Sequence, residues 1–178
     1  MKYYVGCLIK GKAADYYKEI TTDLAQRFGI KNLSDTKPPH LTFKAPFETE
    51  GIETFEKEIS EMASRQKVSQ FCIKGFSRFD LESKTIFLAI KPDPELQRKA
   101  NGIVKALMHF GENRKFVPEP LYLHVSIARY LDFELSQKIW AYVATLPAPQ
   151  FKVAFDNLTL FVNQDNRWEI KSTFSFGE

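Results

Sequence analysis

Cysteine is nearly absent from this 178-residue chain: Cys7 and Cys72 are the only two. Both stand in apolar, strand-like stretches, with no Cys-x-x-Cys and no Cys/His cluster. That excludes a disulfide scaffold and leaves two small buried hydrophobes in a reducing compartment. Long apolar runs are missing too; none approaches the ~18 residues of a membrane-spanning helix. The first run, Tyr3 to Ile9, closes on Lys10 and leads into an amphipathic stretch, so it does not read as a signal peptide. A cytoplasmic protein without membrane association is expected. There is no Walker-type glycine loop, which leaves ATP-driven chemistry without support. Nor does one sign of charge dominate: 25 Lys and Arg face 22 Asp and Glu, a formal charge of +3. That balance permits a phosphorylated or nucleic-acid ligand without demanding one. Histidine is rare, with three in the chain.

Apolar residues make up 44% of the chain and aromatics 14%, mostly the 16 Phe. This is an ordinary globular composition with a Phe-rich core. A chain of this length buries roughly 70% of its unfolded surface, enough to dispense with disulfides or a structural metal. Residues 1–178 are read as a single domain. Lys2–Ile9 reads as a buried strand. Ala13, Tyr16, Ile20, Leu24 and Phe28 have helical spacing and stop at Gly29. Asn32–Pro39 is a polar loop, His40–Phe47 a strand, and Ile52–Ala63 a helix. Phe71–Phe79 and Lys84–Ile90 are strands joined by a turn at Asp80–Ser83. The order then begins again. Pro94 opens a helix with Leu96, Ala100, Ile103, Leu107 and Phe110 on one stripe. A loop with Pro118 and Pro120 leads to a strand over Leu121–Ala128. Leu135, Ile139, Tyr142/Val143 and Leu146 mark a fourth helix. Phe151–Val162 gives one or two strands, and Trp168, Ile170, Phe174 and Phe176 suit a last strand packed on one face. Each half thus reads strand, helix, proline loop, strand, helix, strand. The expected fold is α+β: two pseudo-symmetric lobes, roughly 1–83 and 84–178, with strand exchange between them allowed. Antiparallel sheets line a central groove and helices cover the outer faces.

Two of the three histidines sit in nearly the same tetrapeptide, His40-Leu41-Thr42-Phe43 and His124-Val125-Ser126-Ile127, 84 residues apart. On a strand, residues i and i+2 share a face. His40 and Thr42 then face one way while Leu41 and Phe43 enter the core, and His124 and Ser126 repeat the arrangement. The plain alternative is a pair of half-buried strand histidines with satisfied hydrogen bonds. It leaves the repeated hydroxyl, the interleaved apolar residues and the matching places in the two halves unexplained.

These motifs, the arginine of His124-Val125-Ser126-Ile127-Ala128-Arg129, the Lys74-Gly75-Phe76-Ser77-Arg78-Phe79 strand and the aromatic closing strand resemble the 2H phosphoesterase superfamily over nearly the whole chain. The branch that is most similar comprises the 2′-5′ RNA ligases and RNA 2′,3′-cyclic phosphodiesterases. The resemblance implies a groove lined by both motifs, with His40 as proton donor, His124 as proton acceptor and Arg129 on the phosphate. It implies a 2′,3′-cyclic phosphate, at an RNA end or on a small cyclic nucleotide, as substrate and a 2′-phosphate as product. Reversal would join the cyclic phosphate to a 5′-hydroxyl as a 2′-5′ linkage.

The chemistry agrees with the residue types. Opening a cyclic phosphodiester needs a base for water and an acid for the leaving alkoxide, and imidazole serves either role near neutral pH. Thr42 and Ser126 can donate hydrogen bonds to the non-bridging oxygens. A guanidinium fork suits phosphate. Arg129, however, has an odd offset from His124, so the strand must end, bend or bulge near Ala128 for it to reach the groove; otherwise it is an exposed strand-end arginine. Lys44 has the even offset from His40 and faces either the groove or solvent. Phe47, Phe116, Tyr122 and Tyr130 flank the motifs as candidates to stack a base, against core or rim positions. Glu112–Leu121, with Arg114 and Lys115, is a basic rim or a plain solvated loop. His109 falls opposite its helix's apolar stripe and is expected to be idle. No acidic ligands accompany the motifs, so no metal and no cofactor is expected. A monomer is expected. The rivals are a module that binds RNA or a nucleotide without turnover, and a structural protein, which leaves the repeated motif unexplained.

Overall fold

The structure is a computed structural model that describes residues 1–80, 84–91, 93–108, 110 and 121–177. His109, Phe116, Arg114, Lys115 and the Leu81–Ser83 part of the expected turn lie outside the described residues. The described chain runs β1 (Lys2–Leu8), α1 (Lys12–Phe28), a short 3-10 turn (Leu33–Asp35), β2 (His40–Glu48), α2 (Ile52–Ser64), β3 (Ser69–Phe79), β4 (Lys84–Ile90), α3 (Pro94–Leu107), β5 (His124–Leu131), α4 (Phe133–Val143), β6 (Gln150–Phe155), β7 (Asn157–Gln164) and β8 (Arg167–Ser175). It is an α+β fold of two antiparallel four-stranded sheets, ordered β2-β1-β7-β8 and β5-β4-β3-β6.

The sheets do not follow the two sequence halves. β3 joins the second sheet, and β7 and β8 return to the first. Helices cross as well: α1, which follows β1, packs on β5 and β6, while α3, which follows β4, packs on β2 and β3. The two lobes therefore interlock around one cluster of buried side chains.

Local chemistry sets the boundaries. Pro94 starts α3 and the Asp93 carboxylate caps it, accepting from the backbone N–H of Glu95 and Leu96. Gly29 ends α1 in the left-handed region. The buried face of α1 carries Ala13, Tyr17, Ile20 and Leu24. Tyr17, rather than the expected Tyr16, points inward; Tyr16 packs at the margin against Phe151. β8 differs from the expectation of one apolar face. It is an edge strand with a bulge opposite Leu160 and Phe161, and the bulge leaves Ile170 46% exposed. Asn157 is fully buried and ties β7 to the end of β1: its side chain accepts from Leu8 N–H (2.9 Å) and donates to the Leu8 carbonyl (3.0 Å).

Candidate active site

The motif strands β2 and β5 form matching edges of the two sheets, and their ladders match residue for residue. In the first, Gly6 pairs with Thr42 and Val5 with Lys44; in the second, Phe87 pairs with Ser126 and Ile86 with Ala128. Two residues of the motif strand oppose one partner step in each, which is a β-bulge. A second irregularity follows at the same place, between Lys44 and Phe47 and between Ala128 and Leu131. His40–Phe47 thus superposes in register on His124–Leu131 without a gap.

The bulge decides where the side chains point. Phe43 and Lys44 are both buried, as are Ile127 and Ala128. Alternation restarts one residue late, so Ala45 and Arg129 turn back to the groove. The bend that Arg129's odd offset requires is present. The same bulge corrects the expectation for Lys44. Its even offset no longer faces the groove, and it lies 6% exposed with Nζ 4.9 Å from the centre of the Phe47 ring. Burial holds its ammonium below the usual lysine range.

A cavity of about 210 Å³ lies between the lobes. His40, Thr42, His124, Ser126 and Arg129 all line it, joined by Lys37, Tyr4, Tyr17 and Trp168. Among the described residues no carboxylate does. Neither motif hydroxyl is engaged by a side chain among the described residues. Both histidines are fixed in the same way. His40 Nδ1 lies 2.7 Å from the Pro38 carbonyl, and His124 Nδ1 lies 2.9 Å from the Tyr122 carbonyl. A carbonyl only accepts, so each Nδ1 carries the proton and Nε2 is the nitrogen left for a ligand. An aromatic ring from the equivalent strand position supports each imidazole: Phe161 at 5.3 Å from His40 and Phe79 at 5.0 Å from His124.

The framework is symmetric, but its decoration is not. Tyr4 stacks on Phe161, packs at 4.7 Å from His40 and places its hydroxyl 3.3 Å from His40 Nδ1. The equivalent residue beside His124 is Thr85. Burial lowers the basicity of both histidines. His40 falls to about 3, with the Lys37, Arg129 and His124 charges adding to desolvation and the Pro38 hydrogen bond opposing it. His124 is lowered by burial and by Arg129. Lys37 falls to about 8, through desolvation first and then the neighbouring cations. The groove is a place where positive charge is crowded and an anion is favoured.

Of the aromatic candidates, Phe47 is core, and Tyr122 is 59% exposed beside Phe79 and His124. Tyr130 is 78% exposed with its ring beneath the Arg129 guanidinium, outside the residues that line the central cavity. The aromatic side chains that line the groove are instead Tyr4, Tyr17 and Trp168. Sequence reasoning missed all three as site residues, together with Lys37. The signal for Lys37 is its attachment through Pro38 and Pro39 to His40. Trp168 is fixed by its backbone N–H, which donates to the Thr36 carbonyl (2.7 Å). Among the described residues no three His, Cys, Asp or Glu gather to hold a metal ion, and no helix is long and apolar enough to cross a membrane.

Residues 14–167 match the family described as the 2′-5′ RNA ligase superfamily. A curated relative from Geobacillus sp. (strain WCH70), named "Putative phosphoesterase", is 27% identical over 143 residues, covering 79% of each chain. Among solved structures, TT0787 of Thermus thermophilus overlays with a TM-score of 0.67 at 15% identity, over 100% of both chains. LigT of Escherichia coli complexed with 3′-AMP gives 0.60 at 18% identity, over 99% of this chain and 98% of that one. Usb1 of Kluyveromyces marxianus with uridine monophosphate gives 0.51 at 11%, with the same coverage. These overlays are likenesses of fold.

Proposed function

Because the chain belongs to the 2′-5′ RNA ligase superfamily, the 2H phosphoesterases, we propose that it is a metal-independent cyclic phosphodiesterase that opens 2′,3′-cyclic phosphates at RNA ends or on small cyclic nucleotides. The observation that carries the reading is the composition of the groove: two imidazoles tethered through Nδ1, two unengaged hydroxyls and two cations, with no carboxylate among the described residues. The fold neighbours bound to 3′-AMP and to uridine monophosphate support a nucleotide as the occupant.

In this reading a water molecule gives its proton to His124 Nε2 as its oxygen attacks phosphorus. The bond from phosphorus to the 3′-oxygen breaks, and protonated His40 gives its Nε2 proton to that oxygen. The product carries a 2′-phosphate and a 3′-hydroxyl. Thr42 and Ser126 donate to the non-bridging oxygens, where Arg129 and Lys37 offset their charge. The bound phosphate also bears on His40. Its negative charge opposes desolvation and the effect of Lys37 and Arg129, and so raises that imidazole's affinity for a proton. With a 5′-hydroxyl in place of water the same steps make a 2′-5′ linkage, and run backwards they cleave it.

The test is turnover of a panel of nucleoside 2′,3′-cyclic monophosphates, with products identified by phosphorus NMR. We expect 2′-phosphates, unchanged rates in EDTA, and losses of about 10²-fold or more in His40→Ala and His124→Ala. Loss of activity in EDTA that Zn²⁺ or Mn²⁺ restores would overturn the mechanism. Binding without turnover across the panel, by a protein whose circular dichroism is that of a folded chain, would make it a binding module.

A further inference from the structure

A second cavity, of about 450 Å³, opens directly beside the first and shares Lys37, Arg129 and Trp168 with it. Its remaining wall is of two kinds. Ile30, Leu33, Leu131 and Leu135 are apolar, while Lys31 adds a third cation and Tyr130 a second ring. Among the described residues no carboxylate lines this cavity either. Several basic side chains elsewhere are paired, as Lys10 is with Asp156, Arg78 with Asp80 and Lys99 with Glu95. Lys31, Lys37 and Arg129 make no ion pair among the described residues. Three cations thus face one apolar-floored hollow, a concentration of positive charge that attracts an anion.

The backbone at the rim adds an independent sign. Tyr130 has φ of 58°. The left-handed region is a genuine outlier for a bulky residue such as tyrosine, and such outliers concentrate at ligand sites. At Tyr130 the turn exposes the ring and sets it beneath the Arg129 guanidinium, 5.0 Å from centroid to Cζ. The equivalent position of the other ladder is Pro46, which cannot adopt this conformation.

We infer that this adjoining cavity, closed by Lys31, Lys37, Arg129, Tyr130 and Trp168, is a second phosphate subsite that reads the 5′-phosphate of the same nucleoside whose cyclic phosphate lies between His40 and His124. The inference rests on the reading of the central groove given above. Arg129 and Lys37 line both cavities, so the two phosphates of one nucleoside would meet the same pair of cations. The rings and the apolar floor take the next nucleoside where the 5′-phosphate is a phosphodiester. A terminal 5′-monophosphate satisfies the cations alone.

Calorimetric titration tests this without turnover. Adenosine 2′-monophosphate, adenosine 2′,5′-bisphosphate and an adenylyl dinucleotide ending in a 2′-phosphate are titrated into the full chain, Lys31→Gln and Lys152→Gln. Lys152→Gln controls for net charge at a site remote from the groove. We expect the 5′-phosphorylated ligands to bind about tenfold tighter than the monophosphate, the worth of one charge-assisted hydrogen bond. Lys31→Gln should erase that gap and leave the monophosphate unchanged, while Lys152→Gln should preserve the gap. A gap seen with both 5′-phosphorylated ligands assigns the subsite to the phosphate itself; a gap confined to the dinucleotide assigns it to an internal phosphodiester. Equal affinities for all three ligands, or a gap that Lys152→Gln erases as well as Lys31→Gln, overturns the subsite. If the gap is found but no cyclic phosphate is turned over, the subsite stands and the hydrolytic reading falls.

Discussion

Lys37, Arg129 and His124 all depress the basicity of His40, on top of its burial, whereas for His124 Arg129 is the one charge that adds to desolvation. The consequence for stability has a definite sign. The folded chain protonates His40 only near pH 3, against 6.5 for the ordinary side chain. Between those values the unfolded chain binds a proton that the folded one refuses, so stability falls as pH drops through the window. Above it both states are neutral there and the contribution is complete. We expect the melting temperature to decline from about pH 6.5 toward 3 more steeply in the parent than in His40→Asn, read by calorimetry without phosphate. Equal slopes would show that His40 is not desolvated. At the hydroxyls, Thr42→Ala and Ser126→Ala should each raise the barrier by about 1–3 kcal/mol, because one hydrogen bond to phosphate is lost while both proton transfers survive.

At the scale of elements, the paired bulges place one cation and withdraw another. They also mark the limit of what the sequence revealed. The repeated His-x-Thr/Ser-x tetrapeptides were legible because strict alternation holds from His40 to Phe43 and from His124 to Ile127. Beyond them alternation fails by one residue, and a bulge leaves no trace in hydrophobic pattern alone: Lys44 sits buried and Ala45 faces the groove. Strand and helix positions were legible from periodicity, but Tyr17 replaces Tyr16 on the inner face of α1 because a helical stripe is wider than a single row. Lys37, Tyr4 and Trp168 escaped because tertiary packing, not local spacing, brings their loop and strands to the motif. Gly6 shows how tightly one of those strands is held. Added carbon at its Cβ position would land on the Leu41 carbonyl oxygen and come within 3.4 Å of His40 Cδ2. The equivalent position in the other ladder carries Phe87, whose ring lies 5.0 Å from His124. Gly6→Ala should therefore cost about 1–3 kcal/mol in chemical denaturation and lower kcat through His40. A variant as stable and active as the parent would show that β1 and β2 can separate without consequence.

For the whole molecule, the exchange of strands between sheets separates the two halves of the groove in time. The second sheet is drawn from one continuous stretch, Ser69–Phe155, whereas the first combines β1 and β2 with β7 and β8 from the far end of the described chain. Pairings between neighbours in sequence close smaller loops and form sooner; those between distant segments wait. Pulse-labelled hydrogen exchange during refolding should protect β3–β6 before β1 and β7. Simultaneous protection of both sheets would contradict this order. During synthesis the consequence is sharper. Arg129 and His124 are carried by the sheet that can assemble early, while His40 obtains its aromatic support from Phe161 and the groove its wall from Trp168 only when β7 and β8 have emerged. A nascent chain can thus attract an anion well before it can transfer a proton. The enzyme's last strands act as its assembly checkpoint.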